Sequence, residues 1–507
     1  MASTLAALWP ATTAGQVLPA QPVVPDPVFP DQVTTSSLLQ NVVYASGTVG
    51  AIFILAGILL IDLGGVRRVN VFDGVIQKLI GFFIGFATYF LIGFAIWNWQ
   101  YYVAFEVPNP YWQSISDWWL GGSFANELAQ YADPEAGMGT GAARNNQQIF
   151  IFFLACFAGI INVLIHLGVT ERIKPAAYFV VSFVAAIVSS VLSWLTWGST
   201  GPLTNLGFHD FFGSAFVYVF AGVVGIVLAR RLGQRPGMYR PHPRVPEYRN
   251  YNLGLTVVGL VVVFAGLPMV ILSCGFFVDP EALFIGINMS DTSVGIAFNN
   301  FALSWAGGAL TGALIAYRTR KYIYTLLGPL AGYLSGAPAF DIYRPWQMFL
   351  VALIAPFVAY AVYEWTQRRE FDEHKLAPVL VGTGAYGILM VGLVAWGTPQ
   401  GGYIGIDSGP YAFQNAQVNV LWQLIGLAVA VAIGLATATV LAWVLERTIG
   451  LGVSEEVQVE GYDRHYWDLT HDDATPAADT TPTPDTVADV VATPSSPSGG
   501  GSARQPS

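Results

Sequence analysis

Charge is scarce in this chain. Asp, Glu, Lys and Arg make up 11% of its 507 residues, where an ordinary soluble domain carries about 25%. Lysine is scarcer still, four residues against eighteen arginines, and the balance is net −10. That balance excludes the broad basic surface that nucleic acid requires, and it suits a halophilic source. Cysteine is almost missing. Cys156 and Cys274 both fall inside apolar blocks, which excludes a disulfide framework and a cysteine metal site. The sequence has no nucleotide-binding loop, metal-ligand cluster or nucleophile triad. It therefore points to no enzyme and to no cofactor.

Apolar residues are what the chain has in quantity, 54% of the total. They are gathered in blocks of about 20, the length that crosses a hydrocarbon core ~30 Å thick. The blocks are apolar all round, without the stripe of a surface helix. The expected fold is an all-α polytopic membrane protein with eleven transmembrane helices. They span 41–63, 75–99, 147–169, 174–196, 211–231, 252–277, 294–316, 322–338, 345–365, 377–397 and 418–446. The eighth holds Gly328, Pro329, Gly332 and Gly336 and reads as a broken helix.

The loops alternate in charge. Arg67 and Arg68, Arg172 and Lys174, the run from Arg230 to Arg249, Arg318 to Lys321, and Arg368 to Lys375 all follow odd-numbered segments. The other loops are nearly bare of positive charge. By the positive-inside rule the basic loops are cytoplasmic, with the N-terminus outside and the C-terminus inside. The expected organisation is an extracellular arm over 1–40 and a membrane domain over 41–446. An ordered extracellular loop covers 101–146 within it. A cytoplasmic C-terminal region follows over 447–472, and then a disordered Pro-, Thr- and Ser-rich tail over 473–507. Segments one to five and six to ten run in opposite senses. They read as an inverted repeat with a solute path at the midplane, followed by one long C-terminal helix.

Several stretches resemble the ammonium transporter (Amt/Mep/Rh) family. "GGVRRVNVFDGVIQ" resembles its end of helix one, and "LGVTERIKPAAYFVVS" its helix three to four turn, with Glu171 and Arg172 on an acid–base pair there. "HDFFGSAFVYVFAGVVGIVLARRLGQRPG" resembles the signature that opens helix five. "AFNNFALSWAGGAL" and "LLGPLAGYLSGAPAF" resemble helices seven and eight, and "GLGVSEEVQVEGYDRHYW" the cytoplasmic tail. The likeness covers roughly 41–468, in order. It implies a homotrimer in the cell membrane, with one narrow pore per subunit for ammonium or ammonia. It also implies a cytoplasmic face that receives a nitrogen-regulatory protein.

Carried over position by position, the resemblance puts the vestibule aspartate on Asp210 and the outer tryptophan on Trp197. The gate phenylalanines of helix three fall on Phe153 and Phe157, and that of helix six on Phe276. The chain departs from the family at the two pore histidines, which fall on Tyr218 and Thr383. An aspartate of the helix-ten motif falls on Pro378, and an outer serine on Pro280 or on no residue.

Read as chemistry, Asp210 fits a helix N-cap and, under a vestibule, also raises local cation concentration. The aromatic rings fit packing, a water-tight gate, or cation–π contact. A phenol and an aliphatic hydroxyl do not titrate near neutrality as imidazole does, but they can donate and accept hydrogen bonds. Tyr218 and Thr383 are thus expected either to fill the pore or to form a bonded pair across it. His166 reads as a satisfied interfacial residue or a relocated proton acceptor, and Glu171 with Arg172 as a structural knot. Loop 230–249 reads as an anchor at anionic headgroups. The expected function is ammonium/ammonia transport without the twin-histidine relay. The alternatives are a non-conducting ammonium sensor or regulatory subunit, and a channel for another small neutral solute.

Overall fold

The computed structural model describes residues 35–120, 122, 140–279 and 284–469. Most of the arm over 1–40, part of loop 101–146 and the whole tail over 473–507 lie outside them.

Each apolar block forms a helix. These are α1 (Thr35–Gly65), α2 (Val71–Thr88), α3 (Thr140–Val169), α4 (Pro175–Thr196), α5 (Phe220–Leu232), α6 (Leu253–Ser273), α7 (Val294–Thr319), α8 (Ile323–Gly336), α9 (Pro345–Arg368), α10 (Gly384–Val394) and α11 (Val420–Arg447). Three of them carry π-helical stretches: Tyr89–Gly93 extends α2, Ser214–Val219 opens α5, and Ala377–Thr383 opens α10. Among the described residues nine rods are long and apolar enough to cross a membrane. The remaining two are α7, diluted by Asn299, Asn300 and its glycines, and α8, which has only 14 residues. The broken helix expected at the eighth segment is not seen. Pro329 sits inside a continuous α8, because proline keeps a helical φ and its freed backbone group can be met by neighbours in a packed bundle.

The helix ends follow local chemistry. Pro175 and Pro345 stand in first turns, where a missing N–H costs nothing. Asn252 accepts from the Gly254 amide (2.9 Å) and Asn419 from that of Trp422 (3.1 Å), capping α6 and α11. Between rods, small residues let backbones meet, as they must where lipid supplies no hydrophobic drive. A Cβ on Gly50 of α1 would stand 2.6 Å from the Gly266 carbonyl oxygen of α6, and a Cβ on Gly266 2.6 Å from that of Gly50.

Helix α6 stops at Ser273, short of the expected 277. Gly275 breaks it, and the β-forming Phe276–Asp279 pairs antiparallel with Phe284–Ile287, which pairs with Thr292–Ser293. Phe276, expected on helix six, is therefore on a strand, and Pro280 lies outside the described residues. A second antiparallel pair joins Pro399–Gln400 to Ala416–Gln417.

The loops sort onto two faces. On one, Asn288 donates to the Gly402 carbonyl (3.3 Å), and the Tyr101 and Tyr403 rings meet at 6.0 Å. On the other, the basic loops and the segment after α11 interlock. Asp463 accepts from the Phe72 and Asp73 amides (3.1 and 2.8 Å), so the C-terminal segment caps α2.

Candidate functional site

Asp210 precedes the π-helical opening of α5. Its Oδ1 accepts from the Ser214 amide (2.7 Å) and its Oδ2 from the Ala215 amide (2.8 Å), and it is fully buried. Both oxygens are thus committed to the helix end, the arrangement of an N-cap. Asp210 reaches neither of the two main cavities described below.

The preceding residue, His209, is also fully buried. Its Nε2 lies 2.9 Å from Asp341 Oδ1 and its Nδ1 2.6 Å from Gln400 Oε1. Gln400 Nε2 donates to the Thr204 and Phe208 carbonyls (3.1 and 3.2 Å), so its oxygen is the atom left facing the ring. Both imidazole nitrogens therefore meet acceptors, and only the protonated ring satisfies both. Burial works against that charge. Asp341 and Gln400 outweigh it and raise the pKa of His209. Nothing local in the sequence links these three residues, which lie 132 and 191 positions apart in the chain.

Two cavities flank this region. The first, about 390 Å³, lies on the face with few positive charges and is walled by rings, including Tyr44, Trp97, Tyr101, Phe150, Trp197 and Tyr403. The second, about 460 Å³, runs from Phe157, Phe212 and Tyr218 to His374, Lys375 and Tyr322 near the basic face. A wall of aromatics separates them. Trp197 stands 5.6 Å from Phe216 and 6.4 Å from Phe157 between ring centroids, and Phe157 stands 6.5 Å from Phe212. The adjacent Phe211 and Phe212 face different cavities. A void of about 10 Å³ remains beside Phe157, Trp197 and Phe216, at the lower edge of what one water fills. Trp197 is fixed by donating Nε1–H to the Phe211 carbonyl (2.9 Å).

Of the residues expected here, the structure brings Trp197 and Phe157 to the wall. Phe153 is fully buried behind them, packed on Phe157 at 5.2 Å, and lines neither cavity. Tyr218 reaches the second cavity, but its partner is not Thr383. Its hydroxyl meets that of Tyr333 on α8 at 2.5 Å. Thr383 is buried and donates to the carbonyl of Val379, one turn back in its own π-helical stretch. The hydroxyl partner of Tyr218 is therefore Tyr333, which lines the same cavity, because a threonine on a helix can satisfy itself on its own backbone while a tyrosine reaches outward. Both Tyr218 and Thr383 stand in π-helical stretches, a geometry common at functional positions.

His166 is no free acceptor. Its Nδ1 faces the Lys78 ammonium (2.8 Å) and its Nε2 faces Gln77 Oε1 (3.1 Å). Lys78 is itself buried and pairs with Asp62. A lysine beside Nδ1 sets the tautomer, with the proton on Nε2.

Glu171 and Arg172 do not pair with one another. Glu171 accepts from Arg235 (2.9 Å), Tyr248 (2.6 Å) and the Arg67 amide (3.0 Å). Arg172 donates to the Asp372 carbonyl (2.9 Å) and stands 3.6 Å from its carboxylate. Arg235 joins the two by also binding Asp372 at 2.7 Å. Burial alone would raise the Glu171 carboxyl. Arg235 and Arg67 outweigh it and hold the pKa below the ordinary range. Next to this knot, burial pushes Glu373 up to about 7, against the lowering effect of the Ala377 amide that it accepts at 2.7 Å.

Residues 42–471 match the model of the Ammonium Transporter Family. The chain is 26% identical over 443 residues to the ammonium transporter Amt2 of Archaeoglobus fulgidus, covering 81% of this chain and 83% of that protein. It is 25% identical to Amt1 of Methanocaldococcus jannaschii, covering 81% and 91%. Among solved structures it resembles a sensor Amt protein (TM-score 0.64, 18% identity, 85% and 99% covered). It also resembles Mep2 of Candida albicans (TM-score 0.61, 16% identity, 85% and 89% covered).

Proposed function

This chain belongs to the Ammonium Transporter Family, and from that premise we propose that it moves ammonium or ammonia across the cell membrane. The path runs through the two cavities and the aromatic wall between them. The basic face is cytoplasmic, the ring-lined cavity is the outer one, and the protein assembles as a homotrimer. The observation that carries the reading is the pair of cavities that meet at this wall, one lined by Trp197 and the other by Phe157 and Phe212. At the inner side of that wall are the paired hydroxyls of Tyr218 and Tyr333, and the resemblance aligns Tyr218, though not Tyr333, with a family histidine. A solute there finds hydrogen-bond partners but no group that ionises near neutrality. The mechanism is therefore passage past a hydroxyl pair, with opening of the wall as the gating step. Loop 230–249 and the docked C-terminal segment make the cytoplasmic surface on which a regulatory protein would sit.

A second reading rests on the closure of the wall: a non-conducting ammonium sensor. Reconstituted protein decides between them. Transport predicts methylammonium uptake, or an ammonium-evoked current. Saturable ammonium binding without any current would reject transport and favour the sensor.

A further inference from the structure

The second cavity is apolar along its length and basic at its mouth. Its volume is about 460 Å³, within the range of about 300–1,000 Å³ in which proteins hold small molecules. Ile58 and Ile61 of α1, Leu260 and Leu267 of α6, and Leu326 and Leu330 of α8 form its sides. It follows α6 from Leu253 to Val270, a distance of about 25 Å along a helix. One leaflet of a bilayer offers an acyl chain about 15 Å of hydrocarbon.

Every charged group on its wall stands at the basic face. Arg320, Lys321 and Lys375 are there, and among the described residues no carboxylate lines the cavity. Lys321 pairs with Glu364 at 2.5 Å. The side chains of Arg320 and Lys375 make no hydrogen bond or ion pair with any described residue. Arg320 is exposed, whereas Lys375 is partly buried, and burial pushes its pKa down. The carboxylates near Lys375 are engaged elsewhere: Asp62 with Lys78, Asp372 with Arg235, and Glu373 with the Ala377 amide. His374 and Lys375 also hold left-handed backbone, with φ of 52° and 69°, a conformation that residues with side chains seldom adopt and that gathers at ligand clamps.

An apolar channel with an unpaired cation at its mouth matches a molecule with one aliphatic chain and one anionic head. A chain drawn from the bilayer gains little by exchanging lipid for these walls, which are no more apolar than lipid. The head must therefore supply the preference, and a carboxylate does so through charge-assisted hydrogen bonds to an ammonium group that lacks a partner.

We propose that this cavity binds a long-chain fatty acid anion, with its carboxylate on Lys375 at the basic mouth and its chain between α1, α6 and α8. The site needs only the cavity, so it stands apart from the transport reading. Where that reading also holds, the bound chain lies in the solute path and closes it.

The test is photolabelling of the full-length chain in phosphatidylcholine nanodiscs with palmitate that carries a diazirine in mid-chain, the labelled residues being read by mass spectrometry. Label should fall on cavity residues of α1, α6 and α8, and unlabelled palmitate should compete for it saturably. Hexadecanol, with the same chain and no charge, should compete about fivefold less well or worse, and Lys375→Gln should weaken labelling by a similar factor. Lys375→Arg, which keeps the charge, should stay within about twofold. Label confined to lipid-facing side chains would overturn the proposal, as would equal competition by hexadecanol, or Lys375→Gln labelled like the parent. Methylammonium uptake into liposomes separates the two readings. Palmitate should lower it in the parent and spare it in Lys375→Gln. Cavity labelling with uptake undiminished would reject this cavity as the path and leave the site standing, and uptake without cavity labelling overturns the site alone.

Discussion

Glu373 offers a pH signature that can be worked from its surroundings. Its carboxyl is buried, it accepts the Ala377 amide that opens the π-helical stretch before α10, and burial pushes its pKa up to about 7 from an ordinary 4.5. Asp372 beside it adds to the rise, and Lys375 opposes it. The linkage has a definite sign. Below pH 4.5 the carboxyl is protonated folded and unfolded, and nothing depends on pH. Between 4.5 and 7 the unfolded chain gives up the proton and the folded chain keeps it, so stability falls as pH rises. Above 7 both are ionised and the loss levels off. At about 1.4 kcal/mol per pH unit the full loss is about 3 kcal/mol. Glu373→Gln keeps an oxygen for the Ala377 amide and cannot ionise, so it should lack this slope. The assay is the thermal unfolding midpoint of the detergent-purified protein from pH 4.5 to 8.5, parent against Glu373→Gln. Other titrating groups are common to both chains and cancel in the difference. The variant should match the parent at pH 4.5 and surpass it by several degrees at pH 8. A difference that stays flat across the range would refute the buried-acid reasoning.

Arg235→Met leaves the Glu171 and Asp372 carboxylates buried without their shared cation. It should cost about 3–5 kcal/mol, read as thermal stability, with partial recovery when Asp372→Asn is added. Tyr218→Phe strands the buried Tyr333 hydroxyl and should cost about 1–3 kcal/mol, while adding Tyr333→Phe should bring the double variant nearer the parent. A double-mutant cycle on unfolding midpoints measures the coupling, and additive losses would deny the contact. Asp463→Ala removes the cap on α2 supplied by the C-terminal segment. A loss of about 0.5–2 kcal/mol is expected, together with faster proteolysis after Ser454.

Much of this architecture is legible in the chain because the bilayer dictates it. A rod about 20 residues long and apolar all round has few other uses, and the alternating arginines already divide the loops into the two sets that the structure gathers on two faces. What stayed hidden was set by packing between distant segments. The helix-six boundary moved because Gly275 and a β-forming Phe-Phe-Val run outweigh apolarity, and apolarity alone does not distinguish strand from helix over four residues. The adjacent Glu171 and Arg172 looked like a pair, yet neighbours in sequence at a helix end point in different directions. Each found a partner some 60 to 200 positions away, Arg235 and Asp372.

Side-chain reach likewise sets which hydroxyl Tyr218 meets. The resemblance pairs Thr383 with Tyr218 because the family places two facing groups on helices five and ten. That inference holds only while both groups are long enough to meet. A threonine hydroxyl is one carbon from the backbone, and that of Thr383 bonds to Val379 in its own helix. A phenol reaches much farther from the backbone, and that of Tyr218 finds Tyr333 on α8. In this chain the polar contact joins the fifth and eighth helices. Restoring histidine at 218 and 383 in this chain should leave Tyr333 without its partner. A triple variant with Tyr333→Phe should accordingly be more stable than the double histidine variant, and the comparison of their unfolding midpoints tests the contact.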